Sequence, residues 1–137
     1  MSERRLVLVV EDNEANQMLA RAVLEREGYE VEVAGSPTEA RGHLSERVPD
    51  LILMDVQLPG QDGLSFTRDL KASAATSEIP IVALTAHAMR GDREVAIRAG
   101  CIGYIAKPID TRTFGEQVRE FLEPSHREFD VKRSASA

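Results

Sequence analysis

The segment Leu51-Ile52-Leu53-Met54 is an unbroken apolar run, closed by Asp55 and then by the turn-forming residues Val56-Gln57-Leu58-Pro59-Gly60-Gln61-Asp62-Gly63. A strand with one wetted face alternates apolar and polar residues, so an unbroken run marks a strand covered on both faces. Leu6-Val7-Leu8-Val9-Val10 is a second such run, bounded by charge and closed by Glu11-Asp12. Strands of this kind belong to parallel sheets with helices above and below. Asp55 therefore falls at a strand's carboxyl end, where open parallel sheets collect ligands and chemistry. An aspartate that only caps the next turn has the same local signature, so its neighbours must decide.

The rest of the chain alternates as that fold demands. Asn13 can cap a helix whose apolar positions Ala15, Met18, Leu19, Ala22 and Val23 recur at helical spacing, with Gly28 placed to stop it. Tyr29 to Ala34 reads as a weakly alternating strand, and Ser36-Pro37 opens a helix to about Arg47 that Gly42 weakens. Past the central strand, a helix follows Gly63 with Leu64 and Leu70 as anchors and ends in the polar residues 72–77. Ile79 to Leu84 predicts another strand, with Pro80 near its start, where a missing donor is tolerated, and Thr85 at its end. A helix from about Ala88 to Ala99, interrupted by Gly91 and stopped by Gly100, leads to a short strand, Ile102 to Ala106, that ends on Lys107-Pro108. Phe114, Val118, Phe121 and Leu122 form a helical stripe suited to packing on the sheet. Residues 1–123 then form one domain, and the polar, aperiodic residues 124–137 read as a disordered tail.

Composition removes several function classes. A length of 137 residues suits a single domain, and a net charge of −6 opposes binding to nucleic acid or to an anionic membrane surface. The lone Cys101 cannot close an internal disulfide, and no cysteine and histidine cluster offers a zinc site, which suits the reducing cytoplasm. The apolar run at residues 6–10 is too short for a signal segment or a membrane span. No glycine-rich phosphate loop lies between Val10 and Met18, and two carboxylates there would repel a pyrophosphate.

Five strands alternating with five helices predict a doubly wound parallel α/β sheet, for which 2-1-3-4-5 is one open order. In that order the first and third strands are neighbours, so Glu11, Asp12 and Asp55 meet at one crevice, with Thr85 and Lys107 closing the next two strands. Three carboxylates carry −3, Lys107 reduces this to −2, and a divalent cation makes the site neutral. A hard, oxygen-seeking ion such as Mg²⁺ matches that charge and leaves coordination positions for phosphate. With Lys107 as a compact positive charge and Thr85 as a hydroxyl donor, the set suits a metal-bridged phosphoryl group, for which a carboxylate can itself be the acceptor.

These residues resemble a known family. Val9-Val10-Glu11-Asp12-Asn13, the Leu51–Asp55 run with Pro59 and Gly63, Leu84-Thr85-Ala86, and Gly103-Tyr104-Ile105-Ala106-Lys107-Pro108 are together similar to a two-component response-regulator receiver domain, over about Arg5 to Leu122. The pattern is most similar to stand-alone receivers of the DivK type and to those attached to hybrid kinases, given Glu11-Asp12-Asn13 and the segment Thr85 to Asp92. The resemblance implies a flavodoxin-like, CheY-like fold. It implies Asp55 as phosphoacceptor, Asp12 as a Mg²⁺ ligand with Glu11 acting through water, and the main-chain carbonyl of Gln57 as a further ligand. It implies Thr85 and Lys107 as phosphoryl contacts, and Tyr104 as the aromatic partner of Thr85 in switching. The Lys107-Pro108 bond would be cis.

The same resemblance implies partners. A sensor histidine kinase or a histidine phosphotransfer domain would supply the phosphoryl group, and a downstream protein would read the face of the fourth and fifth helices. Too few residues follow Glu123 for a winged-helix DNA-binding domain, so direct contact with nucleic acid and membrane insertion are not expected. A phosphohydrolase of the haloacid-dehalogenase type would also use an aspartyl nucleophile at a strand end, but it wants a second Asp where this chain has Gln57. A receiver that is never phosphorylated and only docks would not need the full set Asp12, Asp55, Thr85 and Lys107. His87 reads as the first exposed residue of a helix, the less favoured alternative being a modest influence on dephosphorylation, His43 and His126 read as surface residues, and Cys101 as a small buried hydrophobe.

Overall fold

The computed structural model describes residues 4–86 and 90–123. The chain runs β1 (Leu6–Val10), α1 (Glu14–Arg26), β2 (Glu30–Ala34), α2 (Pro37–Glu46), β3 (Leu51–Asp55), α3 (Gly63–Ala72), β4 (Ile81–Thr85), α4 (Arg90–Ala99), β5 (Gly103–Ala106) and α5 (Phe114–Leu122). All strands are parallel in the order β2-β1-β3-β4-β5, with Val10 beside Met54 and Asp55 beside Leu84. The expected α/β class and strand order hold. No described helix is long and apolar enough to cross a membrane.

Local chemistry sets the helix ends. The Asn13 carboxamide oxygen accepts from the Asn16 N–H at 2.9 Å, and Asp62 does the same for Ser65 at 2.8 Å, each satisfying an amide that the first turn leaves unpaired. At α2, Ser36 accepts from the Glu39 N–H and the Glu39 carboxylate accepts from the Gly35 N–H, a reciprocal cap. Gly28 adopts φ +98° after α1, a conformation open to glycine at little cost, and lets the Tyr29 N–H reach back to the Leu24 carbonyl.

The period of two along the strands divides the core. Val7, Val9, Leu51, Leu53, Val82 and Leu84 face α1 and α5, while Leu8, Val10, Ile52, Met54, Ile81 and Ala83 face α2, α3 and α4. Phe114, Val118 and Leu122 are buried on the first face and Phe121 is partly so, as their spacing predicts.

Three expectations need correction. Val23 is buried and Leu19 partly so, as expected, but Met18 is 70% exposed and Ala15 and Ala22 face solvent; Ala20 and Leu24 complete the buried stripe of α1, one step round the helix. The expected set and the observed one both repeat at helical spacing, and docking against β1 and β2 selects the observed one. The fourth strand starts at Ile81 rather than Ile79, because the Ile79 N–H turns back to Thr76. The fifth starts at Gly103, with Ile102 left 39% exposed. The expected start of the fourth helix near Ala88, the readings of His87 and His126, and the tail at 124–137 lie outside the described residues.

Candidate functional site

Four strand ends build one crevice. Glu11 and Asp12 follow β1, Asp55 closes β3, Thr85 closes β4, and Lys107 follows β5. The pairing of β1 with β3 brings the three carboxylates together, so that one oxygen of each of Glu11, Asp12 and Asp55 lies within 4.8 Å of the others. Asp55 is only 3% exposed and Glu11 1%, whereas Asp12 stands open at the mouth.

Lys107 is the counter-charge. Its Nζ lies 3.1 Å from Glu11 Oε1 and 3.3 Å from Asp55 Oδ2, and its backbone N–H donates to the Thr85 carbonyl at 2.8 Å. The Lys107-Pro108 bond is cis, as the resemblance implies. The Gln57 N–H donates to Asp55 Oδ1 at 3.0 Å, the Asn13 N–H donates to Glu11 Oε2 at 3.1 Å, and the Gln17 amide donates to the Glu11 carbonyl. Glu11 Oε1, despite its ion pair with Lys107, receives no aligned hydrogen bond, the one such buried side-chain oxygen among the described residues.

The electrostatics follow from burial and crowding. Burial pushes the Asp55 carboxyl above its ordinary value of 3.8, with the Glu11 charge adding to the rise while the Gln57 N–H and the Lys107 ammonium oppose it. Burial disfavours the charge on Lys107, but the carboxylates of Glu11 and Asp55 outweigh that penalty and its pKa is raised. A cluster of three carboxylates with one ammonium and an unsatisfied buried oxygen fits a hard divalent ion held by oxygen ligands.

Thr85 is 7% exposed, one strand from Asp55, and its main chain is tied to Lys107. Tyr104 is half-buried against the α2, α3 and α4 side of the core, with the Arg93 guanidinium 5.9 Å from its ring centroid, a contact that no sequence motif announced. A cavity of about 80 Å³ opens beside Asp55, walled by Val56, Leu64, Ala83, Thr85, Val95 and Ala96. Cys101 is buried, and burial pushes its thiol up to about 11, in keeping with an inert packing role. His43, on α2, is half-buried, with its ring 3.1 Å from the Glu32 carboxylate of β2.

A family model described as "response regulator receiver domain" matches residues 7–119. The chain belongs to this family. The receiver is 45% identical over 116 residues to the polar-differentiation response regulator DivK of Brucella ovis, a match covering 85% of this chain and 94% of that protein. Among solved structures it is similar to the receiver domain of the sensor histidine kinase PA1611 from Pseudomonas aeruginosa, at 36% identity and a TM-score of 0.77, over 88% of this chain and 98% of that one. That structure has a magnesium ion coordinated in its active site cleft. A response regulator from Chloroflexus aurantiacus, at 30% identity and a TM-score of 0.82, matches over 88% of this chain and 98% of its own. The receiver is a signalling domain of the two-component type, with the CheY-like arrangement of five strands and five helices.

Proposed function

We propose that this receiver acts as a cytoplasmic response regulator that takes a phosphoryl group from a phosphohistidine onto Asp55. The donor is a sensor histidine kinase or a histidine phosphotransfer domain. A carboxylate oxygen of Asp55 forms the bond to phosphorus as the phosphorus–nitrogen bond breaks, and the imidazole leaves with the electron pair. The observation that carries this reading is the buried Asp55 carboxylate, with Lys107 Nζ at 3.3 Å and the carboxylates of Glu11 and Asp12 at hand.

Asp12, Asp55 and the main-chain carbonyl of Gln57 would hold Mg²⁺, with Glu11 contributing through water. The ion supplies charge neutralisation for the approach of an anionic phosphoryl group. Glu11 has a second part, because its ion pair keeps Lys107 in the crevice. The Lys107 ammonium and the Thr85 hydroxyl then contact the transferred group, and Tyr104 follows Thr85 inward. Signalling is a population shift of the face carrying α4 and α5, limited by how much better the phosphoryl group binds one state. The exposed apolar residues Val95, Ile97 and Ile102 suit that face to a protein effector. Residues 124–137 are assigned no part in it.

The deciding experiment is labelling by acetyl phosphate and Mg²⁺, read by intact mass. Wild type is expected to gain one phosphoryl group and Asp55→Asn none. Stoichiometric label on Asp55→Asn would refute the acceptor assignment, and steady turnover of a generic phosphomonoester would favour a phosphohydrolase.

A further inference from the structure

Gly63, the first residue of α3, sits directly behind the acceptor. A Cβ placed on Gly63 would stand 1.9 Å from the Asp55 carbonyl oxygen, 2.8 Å from its carbonyl carbon and 3.1 Å from the Met54 side chain. Real side chains do not approach backbone so closely. Gly63 is not in the left-handed region, so glycine is required here for space and not for conformational freedom.

The contact is held from both sides. The Gly63 N–H donates to the Val56 carbonyl at 2.8 Å, and the Val56 N–H donates to the Leu84 carbonyl at 3.0 Å, so the residue after Asp55 is clamped between α3 and β4. Behind Gly63, the hydroxyl of the fully buried Thr67 donates to the Gly63 carbonyl at 2.8 Å. A buried threonine bonded one turn back can be a purely local feature of a helix. Here the carbonyl it holds belongs to the residue in contact with the Asp55 main chain.

We propose that Gly63, seated by Thr67, is a positioning residue for phosphoryl transfer: its missing side chain lets the first turn of α3 bear on the Asp55 backbone and set where the carboxylate stands. The inference rests on the reading of Asp55 as acceptor. A side chain at residue 63 must push either the Asp55 carbonyl or the start of α3 aside. The first alternative moves the nucleophile and the Gln57 main chain together. Displacements near 1 Å at a reacting group cost up to about a hundredfold in rate.

The test is the rate constant for acetyl phosphate labelling at saturating Mg²⁺, per folded molecule and well below the melting temperature, with the Mg²⁺ concentration for half-maximal rate measured beside it. Gly63→Ala is expected to lower the maximal rate at least about tenfold and to raise the Mg²⁺ requirement. Thr67→Val, which keeps the volume and removes the hydroxyl, is expected to lower the rate about threefold, with Thr67→Ser restoring it. A merely structural role would lower the melting temperature and leave both kinetic quantities at wild-type values, and that result for Gly63→Ala overturns the proposal. Should Gly63→Ala fail to fold, Thr67→Val decides: a wild-type rate overturns the proposal, and a reduced rate rescued by serine upholds it. Absence of label on wild type would overturn the acceptor reading and this inference with it, whereas labelled wild type with unaffected variants overturns this inference alone.

Discussion

The two faces of the sheet receive alternate residues of the same strands, yet they are filled differently. Against α1 and α5 the packing is completed by Leu24, Phe114, Val118 and Leu122. Against α2, α3 and α4 it is completed in part by small residues, Ala40, Ala83, Ala96 and Cys101, with a cavity of about 80 Å³ left beside Asp55. The difference lies mostly in the helices. α5 drives an aromatic and two branched aliphatics into the sheet, whereas the buried residues of α4, among those described, are the small Ala96 and Ala99, with Val95 39% and Ile97 47% exposed. Burial of apolar area is what anchors a helix to a domain, so α4 is held by less of it than α5. The weakly anchored helix thus adjoins Thr85 and the acceptor, while the strongly anchored one lies across the sheet.

The largest test of that contrast removes the anchor on the filled face. Phe114 is fully buried, and Phe114→Ala should cost about 3–5 kcal/mol in urea unfolding, the sum of lost transfer energy and a residual cavity. A loss below about 1 kcal/mol would mean that this face is not close-packed and would break the comparison.

Adjacent residues of β4 sharpen it, since Val82 points to one face and Ala83 to the other. Val82→Ile adds a methylene to a filled face and should cost about 1–3 kcal/mol. Ala83→Val grows toward the cavity and should stabilise by about 1 kcal/mol, with slower amide exchange in α4. Equal and opposite signs exchanged between the two variants would show the faces to be assigned the wrong way round.

Charge also weakens the crevice side. The folded-state pKa of Asp55 is raised, so its carboxylate form disfavours folding at any pH above that raised value. Asp55→Asn in metal-free buffer should therefore raise stability at pH 7. The gain should fade as pH drops through the raised pKa and be gone below the ordinary value of 3.8, where the carboxyl is protonated folded and unfolded alike. Thermal melts at pH 7 and pH 3 distinguish this from a packing effect, which would persist at both.

The smallest expected effect is on α1. Met18 is 70% exposed, so Met18→Ser should change stability by no more than about 0.5 kcal/mol, near the noise of a melt. A loss of about 2 kcal/mol would restore the core-facing role that its helical spacing suggests.

Much of the fold was legible because unbroken apolar runs are hard to place anywhere but in a strand covered on both faces. Leu6–Val10 and Leu51–Met54 announced such strands, and the residues closing them announced the crevice. The cap residues Asn13 and Ser36 were legible for a similar reason, since their short polar side chains serve amides only a few residues away. What depends on neighbours within one turn or one strand is written in the sequence at that place.

The sequence by itself determined the class of the fold and which polar residues reach the carboxyl edge, while the strand order came with the family resemblance. Only the tertiary structure decided how α1 is turned about Val23, because Ala15, Met18 and Ala22 satisfy the helical period with it as well as Ala20 and Leu24 do, and contact with the sheet breaks the tie. It also decided that Glu11 goes inward to Lys107 while Asp12 stays open, since successive residues of an extended backbone point to opposite sides and either carboxylate could have been the buried one. The close approach of Gly63 to the Asp55 carbonyl belongs to the same class: a glycine marks a place where something comes near, and only the packed chain says what does.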